Sequence, residues 1–262
     1  MNHLPLLAST LFYFLSCCSA VVSFRSGEFR AGRFNVITIA LGVIAQSCFL
    51  IQQGKIDQAC PIRTLPEIII FLSWAIGVFY LVIGTTYRIS LMGTFTAPLI
   101  LGLQSMALLL PAEKITSMMP MNPWIEAHAA VSLVAFGAFG LGSISGIMFL
   151  FQERQLKSQH PDPIFHHLPP IRILEEATIR LLWMGLILLT VSFAAGWIGS
   201  RSISGTKFGV SLLLWGAYSL ILILNQKNRL SGHRFAFFAI FIFFCALMIL
   251  PLIRYLSDLA VR

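Results

Sequence analysis

The sequence predicts an all-α, polytopic membrane protein of about eight transmembrane helices, and three observations predict it. Hydrophobic residues make up 57% of the 262, and charged residues only 11%, where soluble domains run near one quarter charged. The apolar residues fall in runs of about 20 without alternation, the length that crosses a hydrocarbon core of about 30 Å as a helix. No run carries a lysine or arginine at its centre, where a charge would be costly.

The first run covers 4–24. It lacks the positive start and small-residue cleavage site of a signal peptide, and Arg25 follows it directly. It is read as a span retained in the mature protein. Spans two to four are expected at 34–53, 66–86 and 90–110, with Gln46 and Gln104 near the middle of the second and fourth. Hydrogen bonding between helices is their expected role. The fifth span, 124–151, holds the one histidine that lies within a long apolar run. A long connection, 152–179, follows, in which Pro161, Pro163, Pro169 and Pro170 break helix and favour extended backbone. LEEATIRLLW then reads as a helix along the membrane surface before the sixth span at 180–199. Spans seven and eight are expected at 208–225 and 234–255. The spans occupy most of the chain, so one integral membrane domain over 1–262 is expected.

The net charge of +8 comes from basic residues scattered through short loops. They form no stripe, which argues against a nucleic-acid partner and for a role in topology. With the N-terminus outside, the inner side holds Arg25, Arg30, Arg33, Arg88, Arg154, Lys157, Arg172, Arg180, Lys227, Arg229 and Arg234. The outer side holds Lys55, Arg63, Lys114, Arg201, Lys207, Arg254 and Arg262. The excess of basic residues inside predicts an N-out, C-out bundle. Trp124 and Trp197 would then anchor the outer interface and Trp183 the inner one.

The five cysteines form no CxxC, CxxCH or zinc spacing, which removes covalent haem attachment and thioredoxin-like chemistry. Cys60, in a polar loop, is the one read as potentially reactive. There is no Ser-His-Asp arrangement, no pair of buried carboxylates, no phosphate-binding glycine loop and no HExxH. Hydrolysis and phosphoryl transfer therefore have no support, and no catalysis is expected.

His128 heads a helical stripe. With Ser132, Ala135, Phe139, Gly142 and Gly146 it falls within roughly ±40° of one line at about 100° per residue. Small residues under a histidine permit close approach on that face. An ionisable group at membrane depth raises a functional hypothesis: an iron or other metal ligand, or a proton relay. The bland alternative is an interfacial histidine bonded to a carbonyl or a headgroup. On the seventh span Ser211, Trp215, Tyr218 and Leu222 share a face headed by Lys207. That arrangement could hold a planar, anionic, largely apolar ligand such as haem with its propionates, or it could be aromatic packing beneath a snorkelling lysine. Met118, Met119 and Met121, in the loop before His128, would suit copper(I) or a His/Met haem iron, and His3 is a possible second axial ligand. His160, His166 and His167 have poor zinc spacing and read as solvated loop. His233 is placed at the headgroups.

Four stretches then resemble the cytochrome c assembly protein family, in its HemX-like branch of small eight-span proteins. They are the histidine-headed fifth span closed by FQERQLK, the connection LPPIRILEEATIR, the sixth-span segment LLTVSFAAGW, and Lys207 followed by Trp215 and Tyr218. Together they cover about 124–235. The resemblance implies an inner-membrane protein of a bacterium that handles haem near the outer leaflet. It also implies His128 as an axial ligand, Trp215 and Tyr218 as an aromatic wall, and haem-synthesis or cytochrome assembly proteins as partners beside the lipid bilayer. The chain departs from the lyase-type members in its short outer loop GSRSISGTK, which lacks a tryptophan-rich segment, and in ILILNQK, where those members carry a second histidine. Gln46 or a neighbour stands where HemX-like members often carry a histidine in the second span. These departures argue against lyase-type ligation and against docking of an apocytochrome. A transporter or flippase for a small amphiphile, and a non-catalytic regulator docking through 152–179, are the alternative readings.

Overall fold

The computed structural model describes residues 4–26, 32–87, 92–111, 122–157, 170–199 and 205–261. Among the described residues there are eight helices and no strand: α1 (Leu4–Ser26), α2 (Gly32–Asp57), α3 (Leu65–Tyr87), α4 (Met92–Leu109), α5 (Pro123–Lys157), α6 (Ile171–Gly199), α7 (Gly205–Gln226) and α8 (Gly232–Val261). All eight are long and apolar enough to cross a membrane. Even α4, with 18 residues, is about 27 Å long at 1.5 Å per residue.

One element differs from its expectation. LEEATIRLLW is not a separate surface helix. It forms the first turns of a continuous 29-residue α6. Pro170 stands just ahead of the helix, and its carbonyl accepts from the amides of Ile173 and Leu174 at 2.8 and 3.3 Å. No proline follows within α6. Leu174, Ala177, Thr178 and Leu181 are buried, so the helix is held straight into the bundle by packing.

The chain is arranged around α5. Helices α1 to α4 pack on one another, α3 carries that group onto α5, and α6 and α8 cover α5 elsewhere. Helix α7 packs chiefly on α6 and α8. The two glutamines are interhelical bonds, as read from the sequence. Gln46 Nε2 donates to the Ile70 carbonyl and to Ser73 Oγ at 2.8 and 2.7 Å, while its Oε1 accepts from Tyr13 Oη at 2.7 Å. Gln104 Nε2 meets Ser9 and Thr10 hydroxyls at 2.5 and 2.9 Å. Both amides are fully buried. Tyr13→Phe would orphan Gln46 Oε1, and a loss of about 1 kcal/mol is expected, within the range for interhelical hydrogen bonds in membranes. Unfolding in detergent checks it, and an unchanged midpoint would rule out the network as a stabilising element.

Candidate functional site: a histidine held between two helices

Asn122 sets the register of α5 against α6. It is the N-cap of α5, its Oδ1 accepting from the Trp124 amide at 3.1 Å, with Pro123 in the first helical position where its missing N–H costs nothing. Its Nδ2 also donates to the Gly199 carbonyl at 2.9 Å, satisfying the C-terminal end of α6. One side chain thus caps both helices and fixes the height of His128, six residues on.

At that height, His128 Nδ1 lies 2.8 Å from the Ser192 carbonyl oxygen and 2.9 Å from Ser192 Oγ, whose hydroxyl donates to the His128 carbonyl at 2.9 Å. A carbonyl only accepts, so in the neutral imidazole Nδ1 carries the proton and Nε2 keeps its lone pair. Among the described residues Nε2 has no hydrogen-bond partner. Access to the carbonyl depends on Gly196, one turn beyond Ser192. A Cβ there would sit 2.8 Å from Nδ1 and 3.2 Å from Cγ of the ring. Beneath the ring, Ser132 Oγ lies 2.6 Å from both the His128 carbonyl and Ser192 Oγ, tying α5 to α6 a second time. The result is a partly buried imidazole of defined tautomer and orientation. An imidazole that ligates a metal is commonly oriented in this way, by an N–H donated to a carbonyl.

What approaches the small-residue stripe is therefore protein. Gly185 of α6 faces the Phe139 ring, where a Cβ would lie 2.5 Å from it, Gly142 faces Leu181 and Leu182, and Gly146 faces Ala236 and Ile240 of α8.

The seventh-span candidates stand elsewhere. Tyr218 is fully buried, with its ring stacked on Phe139 at 3.8 Å and 7°. Trp215 Nε1 donates to Thr190 Oγ1 on α6 at 3.0 Å. Thr190 and Ser192 are about 160° apart around α6, so Trp215 and His128 engage nearly opposite sides of that helix. The structure does not bring the two together. The side chain of Lys207, together with His3, Met118, Met119, Met121, His160, His166 and His167, lies outside the described residues.

Glu126, two residues before His128, points away from it. Its carboxylate accepts from the Cys60 amide at 3.3 Å and pairs with Arg63 at 3.7 Å, fastening the α2–α3 loop to α5. Partial burial pushes the Cys60 thiol up, and the negative charges of Glu126 and Glu67 add to the shift. Cys60 is accordingly expected to be poorly reactive at neutral pH. Its alkylation by iodoacetamide should be severalfold slower than that of a free thiol and should accelerate as pH rises, since the thiolate is the nucleophile; a rate equal to that of free cysteine would refute this. His233, at the opposite end of the bundle, lies 2.6 Å from Glu153, which also holds Lys157 at 2.7 Å.

Ser192 and Gly196 were not singled out from the sequence. Their signal was present as a small-xxx-small pair within SFAAGW, the pattern that lets membrane helices approach closely.

Known proteins bear on this arrangement. Residues 62–260, from just ahead of α3 to the end of α8, match the family described as cytochrome C assembly protein. Protein HemX of Brevibacillus brevis is 26% identical over 227 residues, covering 80% of this chain and 82% of that protein. Cytochrome c biogenesis protein CcsA of a Synechococcus strain is 24% identical over 245 residues, 68% of this chain and 70% of that protein. CcsA of Microcystis aeruginosa is 34% identical over 100 residues, 36% of this chain and 30% of that protein. The family match takes in six of the eight helices and the histidine clamp, and the HemX similarity runs through four fifths of both chains. This chain belongs to the cytochrome c assembly protein family, and within it to the HemX-like branch.

Proposed function

We propose that this protein is a haem-holding accessory of cytochrome c assembly or haem handling, without catalysis of its own, and that His128 Nε2 is an axial ligand. The observation that carries the reading is the bond from His128 Nδ1 to the Ser192 carbonyl. It leaves the other nitrogen as a lone-pair donor, already oriented, as a haem-ligating histidine requires. Membership of the cytochrome c assembly family supports haem as the group concerned.

The residues fit one axial ligand. Among the described residues no cluster of three or more His, Cys, Asp or Glu could hold a bare metal ion, so the reading is a macrocycle held by one protein nitrogen. Haem bound here would supply an iron that accepts that nitrogen. The chain itself would position the imidazole, through Ser192, Gly196 and Asn122. In this reading Trp215 and Tyr218 lock α7 onto α6 and Phe139, and Lys207, in the first turn of α7, is the cation available to propionates. The His128 end would face the outside of a bacterial cytoplasmic membrane, on the basic-residue bias.

The visible spectrum tests the proposal. Protein purified from haem-supplemented cells is expected to show a Soret band that is lost or shifted in His128→Ala. No band after haem addition would sink the cofactor, while a band unchanged in the variant would sink the ligand assignment.

A further inference from the structure

We propose that the cavity between α5, α7 and α8 is a binding site for one acyl chain of a membrane phospholipid. The cavity measures about 440 Å³, and its walls include Ala129 and Phe136 of α5, Leu214 and Ala217 of α7, and Ala246 of α8. That volume lies within the usual range for small-ligand sites, about 300–1,000 Å³. It arises because α7 commits its other side to α6 and to Phe139, through the Trp215–Thr190 bond and the Tyr218 stack. The remaining side of α7 stands off from α5, with small residues along the gap.

The occupant follows from elimination on physical grounds. Water does not fill an apolar cavity that offers few polar partners. A partner helix is too wide, since one turn, about 5.4 Å long and 10 Å across with its side chains, takes up roughly 420 Å³ by itself. A flexible hydrocarbon chain fits both the width and the chemistry. The lining residues Leu213 and Phe241 are 75% and 56% exposed, so the cavity opens sideways between α7 and α8. In a chain that spans a membrane, that opening faces lipid. His128 does not line the cavity, although Ser132, whose hydroxyl bonds the His128 carbonyl, does.

The test uses the full-length protein in vesicles containing phosphatidylglycerol with a diazirine in one acyl chain. Illumination is expected to label 129–136, 210–217 and 241–249 severalfold above the lipid-facing surfaces of α1 and α2. Ala217→Phe and Ala246→Phe fill the cavity from opposite walls and should each abolish that excess. Gly216→Phe adds the same ring one residue away, where nothing lies within 4 Å, and should leave it intact. Even labelling of all the helices, or an excess that survives both filling variants, overturns the proposal. Absorbance of the same samples reports haem separately, so either reading can fail alone.

Discussion

Gly137→Val is expected to be among the most damaging single substitutions in the bundle. A Cβ at 137 would lie 2.7 Å from Ala75 Cβ, 3.0 Å from the Ala75 carbonyl carbon and 3.2 Å from the Ile76 nitrogen. Two of those three atoms are backbone, so no rotamer change relieves the clash. Helix α3 would have to move away from α5, and Leu72, Ile76 and Leu141, all within the core on either side of that contact, would move with it. Overpacking of a well-filled core costs about 1–3 kcal/mol and occasionally more. The rigidity of the obstacle puts Gly137→Val at about 3 kcal/mol or above, with Gly137→Ala lower. Gly102→Ala on α4 is the control: nothing lies within 4 Å of its Cβ, and alanine favours helix over glycine. Denaturation in mixed detergent would compare the three. A Gly137→Val midpoint equal to that of Gly102→Ala would show that α3 and α5 do not pack as described.

Gly196→Ala is expected to impair haem association while leaving the fold intact. The added methyl would sit 2.8 Å from His128 Nδ1, and here the obstacle is a ring on a rotatable side chain. The imidazole can turn away at modest cost, losing its bond to the Ser192 carbonyl. Loss of such an orienting bond typically costs 10–100-fold in metal affinity, and a fall of about tenfold or more in haem affinity is predicted here. Ser192→Ala removes the hydroxyl that lies 2.6 Å from Ser132 Oγ and 2.9 Å from His128 Nδ1 but keeps the carbonyl that accepts from the ring, so its effect should be smaller. Haem titration followed by absorbance, beside a thermal melt, separates the outcomes. Affinity unchanged in Gly196→Ala but lost in His128→Ala would keep the ligand and discard the positioning role.

The number and order of the helices were legible in the sequence because a span is a property of local composition. About 20 apolar residues without a central charge have to be helical in lipid, whatever surrounds them. The buried glutamines were legible for a similar reason, since an amide at that depth must find a partner. The start of α6 was misread because proline signals in 161–170 and charges in LEEATIR resemble a surface segment, whereas Leu174 and Ala177 are buried. The face of α7 was harder still. Ser211, Trp215, Tyr218 and Leu222 do share a side by helical register, but register leaves open whether that side meets a ligand or a neighbouring helix. Phe139, 79 positions from Tyr218 in the sequence and in no local pattern with it, decided that the ring is stacked and sealed.

His128 condenses the difference. The sequence by itself determined that an imidazole stands near one end of a long apolar helix, above small residues, in a chain of eight spans. Only the tertiary structure decided which nitrogen is tied, and to what. That bond joins residues 64 positions apart, through a carbonyl every residue possesses and a missing Cβ at Gly196. The Ser192 hydroxyl also lies 2.9 Å from that nitrogen, but no local pattern pairs it with His128, so the contact exists only once α5 and α6 are docked in register.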